Sequence, residues 1–127
     1  MARMLWFGYC VYRNTPHGDV MKKYFHGTNK SGSYFEGWYF KCQTQDGQAL
    51  TLIPAFHIRE NGQQSASIQV VTDEQAWYLD YPASAFAASQ DSLHIAIGEN
   101  RFSDTELHLN VEQEGLSLHG RMKFGPF

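Results

Sequence analysis

An all-β domain, built as an antiparallel meander that closes or half closes into a barrel or folds as a sandwich, is the prediction from this sequence. From Ser33 onward apolar residues recur with period two and not with period 3.6, the mark of strands with one wet face and one dry one. Turn residues punctuate these runs at short, regular spacing, giving roughly eight strands. No βαβ unit, internal repeat or low-complexity tract interrupts the pattern.

The first predicted strand, "SYFEGWYFKCQ" over residues 33–43, breaks the one-face rule. Tyr34, Glu36, Trp38, Phe40 and Cys42 fall on one side, and Phe35, Gly37, Tyr39, Lys41 and Gln43 on the other. With aromatics on both faces, it is expected to be covered on both. A carboxylate set among rings needs a partner or a shifted proton affinity, because burial disfavours the charged form. "LTLIPAFHI" follows, with Ala49, Thr51, Ile53 and Ala55 on the face of His57. In "ASIQVVT" Ala66, Ile68 and Val70 share a side. "SLHIAIG" sets Leu93, Ile95 and Ile97 against Ser92, His94 and Ala96, and "TELHLNVE" sets Leu107, Leu109 and Val111 against Glu106, His108 and Asn110. "LSLHGRMKF" aligns Leu116, Leu118, Met122 and Phe124. Between the runs stand Asp46-Gly47, Asn61-Gly62, Tyr81-Pro82, Gly98-Glu99-Asn100 and Glu114-Gly115. Asp-Gly and Asn-Gly tolerate positive φ and favour tight hairpins.

At 127 residues the chain fits a single domain able to bury a sizeable core. No apolar run is long enough to span a bilayer as a helix. A formal net charge of −3, with ten scattered basic residues, offers no clustered cations for a nucleic acid. Aromatics make up 15% of the chain; such rings line pockets for flat or greasy ligands as readily as they fill cores. Cys10 and Cys42 stand in different settings without a C-x-x-C, so two reduced thiols and a cytoplasmic location are the default expectation. Residues 1–32 read as an N-terminal extension and lead-in, with "MLWFGYCVY" too short and too bulky for a signal peptide. Asn29-Lys30-Ser31 matches a glycosylation acceptor, which means little without a secretory route.

The octapeptide "YFEGWYFK", residues 34–41, resembles the signature near the start of the tocopherol cyclase-like family. The stretch from Ala76 to Phe124 is similar to that family's following strands in order and spacing, with Arg101-Phe102-Ser103 and the glycine-turned hairpins in sequence. The resemblance covers about residues 26–127. It implies a lipocalin-like (calycin-like) β fold related to carotenoid hydratases, with a deep apolar cavity. Plant members of the family cyclise a prenylated quinol to a chromanol. Family members are longer than this chain, so residues 33–127 are expected to form the N-terminal half of a longer architecture.

Protonating an isoprenoid alkene needs an acid that carries its proton near neutral pH, with ring faces beside it to stabilise a cation. Glu36 with Trp38 and Tyr39 offers those parts, and Lys41 is a candidate charge partner. The bland alternative is a structural ion pair inside a barrel. His57, at the end of its strand, is a candidate proton shuttle or a simple polar terminus. The candidate catalytic set is therefore Glu36, Lys41 and His57, and the ligand-binding set is Trp38, Tyr39, Phe40, Phe56 and Trp77. His94, His108 and His119 lie on the wet faces of three strands without an i, i+2 or i, i+4 pair, so no metal or other cofactor is expected. "GTNKSGS" lacks the spacing and the following helix of a phosphate loop. The expected partner is an apolar small molecule, prenylated or lipid-like, taken up for acid-catalysed cyclisation or hydration. Two rival readings are a non-catalytic binder and a structural half that pairs with another chain, as in a homodimer through exposed strand edges.

Overall fold

The computed structural model describes residues 2–4, 9–14, 32–43, 48–89, 92–113 and 115–123. Eleven strands are described: β1 Ala2–Met4, β2 Tyr9–Asn14, β3 Tyr34–Gln43, β4 Ala49–Ile58, β5 Gln64–Thr72, β6 Ala76–Pro82, β7 Phe86–Ala88, β8 His94–Ile97, β9 Asn100–Ser103, β10 Glu106–Gln113 and β11 Leu116–Lys123. A 3-10 turn, Ala83–Ala85, carries the chain from β6 to β7. Among the described residues there is no α-helix, and none long and apolar enough to cross a membrane. The expected Asp46-Gly47 turn, Glu114, Phe124 and the lead-in over 15–31 lie outside the described residues.

The strands make two sheets, in the orders β1-β11-β10-β9-β8-β7 and β2-β3-β4-β5-β6. All described pairings are antiparallel except that of β1 with β11. Neither sheet closes on itself, so the arrangement is a sandwich or an incomplete barrel. Residues 2–4 and 9–14, read from the sequence as part of an extension, add one strand to each sheet.

Alternation decides which side chains enter the space between the sheets. On β4, Leu50, Leu52, Phe56 and Ile58 point inward and are buried; on β10, Leu107, Leu109 and Val111 do the same. Leu50, Leu52 and the three β10 residues meet Trp38, Phe40, Ile68, Ile95, Ile97 and Phe102 in one continuous core. Burying each such side chain contributes about 1.5–3 kcal/mol before ordering entropy is subtracted. The Phe40 and Phe102 rings meet across the two sheets at 5.5 Å.

Local hydrogen bonds set the corners. Gly62, at φ 88°, turns β4 into β5, and Gly98, at φ 60°, turns β8 into β9, both as Asn61-Gly62 and Gly98-Glu99 predict. Thr72 Oγ1 accepts from the backbone N–H of Gln75 at 3.2 Å, capping the β5–β6 turn. Asn100, 1% exposed, donates to the Ile97 carbonyl at 3.1 Å and accepts from the Asn110 backbone at 2.7 Å, which ties the β8–β9 hairpin to β10.

β3, expected to be covered on both faces, leaves Phe35 and Tyr39 exposed on one of them, and two further features depart from the sequence reading. Cys42 is buried and disulfide-bonded, not a free thiol, and the residue opposite it on β2 is Cys10. Thirty-two positions of sequence separation hid a neighbour that the β2–β3 register brings alongside. Pro54 sits inside β4, a central strand, where proline is seldom found. The β3–β4 register runs from Tyr34↔Ile58 to Gly37↔Ala55 and resumes at Phe40↔Leu52; Pro54, which has no N–H to donate, lies in the gap.

Candidate functional site

β3 divides the motif between two faces of its sheet. Tyr34, Glu36, Trp38, Phe40 and Cys42 turn toward the core, while Phe35, Gly37, Tyr39 and Lys41 turn outward. Glu36 is 0% exposed. Its Oε1 accepts a hydrogen bond from the Tyr34 hydroxyl at 2.7 Å, two residues back on the same face. Its cross-strand partner is Phe56 on β4, and Trp38 follows it on β3. Phe86 of β7 stacks on Trp38 at 6.5 Å and tilts against Phe56 at 4.8 Å. The carboxylate therefore occupies a cluster of four rings, of which Tyr34 supplies the hydroxyl. Burial pushes the Tyr34 phenol above its usual range, and its hydrogen bond and charge interaction with Glu36 add to that, so Tyr34 keeps its proton.

On the outer face, His57 of β4 lies across from Phe35 on β3 and Ser65 on β5. Its ring contacts Phe35 at 5.2 Å. Nε2 shares a 2.8 Å hydrogen bond with the Ser67 hydroxyl, which satisfies a serine that is only 1% exposed. Partial burial lowers the His57 proton affinity; Asp80, on β6 beside Ser67, opposes that, and Arg59 reinforces it. A neutral imidazole with fixed orientation results, able to exchange a hydrogen bond or proton with a neighbour.

A hollow of about 360 Å³ opens at this end of the sheet, lined by Tyr34, Phe35, His57, Arg59, Tyr78 and Asp80 together with Ser33, Ile58 and Ser65. Phe35 and Tyr78 are 55% and 52% exposed, and with Tyr39 they form the exposed large hydrophobic residues among those described. All three project from the same outer face. Gly37 makes this geometry possible: a Cβ there would lie 2.9 Å from Phe35 Cζ, so only glycine lets the ring lie back along the strand.

The residues singled out in the sequence thus separate. Glu36, Trp38, Phe40 and Phe56 share the interior, with Phe40 deeper, against Phe102. Trp77 is half-buried and packs against the core from β6. Tyr39, Lys41 and His57 are on the outer face, so Lys41 points away from Glu36 and the two do not form the ion pair considered for them. An odd spacing of five along a strand places two side chains on opposite sides. Tyr34 and Phe86 are the additions. Period two placed Tyr34 beside Glu36, but nothing local pointed to Phe86, which arrives from the other sheet.

Comparison with protein-family models, with curated proteins and with solved structures returns no match to this chain.

Proposed function

We propose that this chain is a tocopherol cyclase-like β domain that binds an apolar, isoprenoid or lipid-like ligand, and that Glu36 is the acid for cyclisation or hydration of that ligand. One observation carries the reading: a fully buried carboxyl group held by the Tyr34 hydroxyl among the rings of Trp38, Phe56 and Phe86. In the proposed step, protonated Glu36 gives its proton to one alkene carbon, leaving a carbocation on the other. Ring faces stabilise that cation, since the negative face of an aromatic attracts positive charge. A ligand hydroxyl or a water then forms the C–O bond, and its displaced proton returns to the carboxylate. Cyclisation is thereby an isomerisation and hydration adds one water. Lys41 lies too far round the strand for that step. His57 fits the outer hollow as a polar contact to a ligand's hydroxyl end.

Uptake without chemistry is the second reading, favoured by the exposed rings of Phe35 and Tyr78 around the outer hollow, which need no acid to hold an apolar body. Pairing of two copies would use the terminal strands of the sheets, β1 and β7 or β2 and β6. The disulfide at Cys42 weighs against the reducing cytoplasm expected from composition.

The test is saturable binding of N-phenyl-1-naphthylamine, followed by incubation with a prenylated quinol and chromatographic search for the cyclised or hydrated product. Glu36→Gln should keep probe binding and lose at least 100-fold in product formation, the scale of general acid catalysis. Unchanged turnover in Glu36→Gln removes the acid role, and probe binding with no product from the unaltered chain leaves the second reading.

A further inference from the structure

Among the described residues, the Tyr34 side chain borders both the Glu36 cluster and the outer hollow. Tyr34 lines the hollow and also donates to the Glu36 carboxylate. It is the first residue of β3, and its pairing with Ile58 is the last described rung of the β3–β4 ladder, so the chain on its C-terminal side is held in the sheet while Ser33, just before it, lies outside the strand. Immediately before it, Ser33 adopts φ 49°, a left-handed conformation that a residue with a side chain takes at a cost of about 1–3 kcal/mol. Its N–H reaches the Arg59 carbonyl over a long 3.3 Å. A strained residue therefore stands next to the side chain that covers the acid, at the point where the strand begins.

We propose that the hollow is the entrance to the Glu36 site and that the Tyr34 ring is its door. Phe35 and Tyr78 hold the apolar body of the ligand at the mouth. Tyr34 swings from Glu36, turning about its own side chain with Ser33 as the backbone hinge, and admits the reactive end of the ligand to the carboxyl group. In the closed state the Tyr34 hydroxyl occupies the place at Oε1 that the ligand's alkene takes in the open one. The proposal rests on Glu36 as the working group, and it makes Tyr34 a gating residue. The gate links the two faces that strand alternation keeps apart, because only at a strand end can one residue border both.

Access to Glu36 can be read without any ligand. The folded chain is treated with a water-soluble carbodiimide and glycine ethyl ester, and the labelled carboxylates are located by peptide mass spectrometry. The exposed carboxylates Glu60, Asp73 and Glu74 serve as internal standards. In the unaltered chain Glu36 should label at least tenfold more slowly than these. Tyr34→Ala should raise its labelling at least tenfold, Tyr34→Phe should keep it protected because the ring stays in place, and Phe35→Ala should leave it protected because that ring faces outward. Circular dichroism confirms folding; where Tyr34→Ala does not fold, Tyr34→Leu is read in its place, with the same tenfold rise expected. Glu36 that stays silent in a folded Tyr34→Ala or Tyr34→Leu chain, or that labels as fast as Glu60 in the unaltered one, overturns the gate. Because no turnover is involved, an active Glu36→Gln variant removes the acid role and leaves the gate standing, while silent labelling removes the gate and leaves the acid role.

Discussion

Gly37→Ala separates a glycine kept for the fold from one kept for the hollow. The added Cβ would meet Phe35 Cζ at 2.9 Å and Cε1 at 3.3 Å, and Ala55 Cβ at an ordinary 3.6 Å. Carbon atoms rest at about 3.5–4.0 Å, so the ring must retreat by roughly 0.6 Å or more. It can do so, being the far end of a side chain that is 55% exposed. Replacing glycine in a strand interior gains about 0.5–1 kcal/mol, because the unfolded chain has less freedom to lose. Displacing Phe35 gives up its contact with His57, about 0.5–1.5 kcal/mol. The two nearly cancel, so urea unfolding should place the variant within about 1 kcal/mol of the original. Probe binding should weaken nonetheless, since one wall of the hollow has moved. In a Phe35→Ala background nothing remains to collide with, and the same substitution should stabilise by about 0.5–1 kcal/mol. A loss beyond about 3 kcal/mol, or a double variant with the same penalty as the single one, would refute the reasoning by showing that Gly37 is pressed against backbone or core.

Two further outcomes are expected. His57 takes up its proton at lower pH in the folded chain than in the unfolded one, so below about pH 6.5 the unfolded chain binds more protons and stability declines as pH falls; above that pH both forms are neutral and the group contributes no slope. Urea midpoints at pH 7.5 and 5.5 should differ less in His57→Gln than in the original chain, and an equal or larger difference contradicts the assignment. Reducing the Cys42 disulfide should lower stability by about 2–4 kcal/mol, read as a drop in urea midpoint on adding dithiothreitol; an unmoved midpoint shows that the bond constrains nothing.

Strand by strand, the reading from sequence held where a run had one wet face. Leu107, Leu109 and Val111 alternate with Glu106, His108 and Asn110, and those two sets are the buried and exposed sides of β10. Turns were equally legible at Asn61-Gly62 and Gly98-Glu99, where positive φ is a local requirement. β4 was read correctly in spite of Pro54 because four inward apolar residues, Leu50, Leu52, Phe56 and Ile58, outweigh one missing N–H. The site was legible by halves. Parity along β3 placed Glu36 with Trp38 and Phe40 and put Lys41 on the other face, but an ion pair across that parity was still entertained.

What the residues determine alone is periodicity: which side chains share a face, where the chain turns, and that a carboxylate stands among rings in the motif. These are consequences of backbone geometry over a few residues, and two-residue alternation carries them without reference to the rest of the chain. Tertiary structure decided what lies opposite each face. Register brought Cys10 alongside Cys42 and Phe56 beside Glu36, and packing of one sheet on the other brought Phe86 onto Trp38. It also made Tyr34 the boundary between a buried acid and an open hollow. Such neighbours come from distant parts of the chain, and only the summed burial of two sheets selects them.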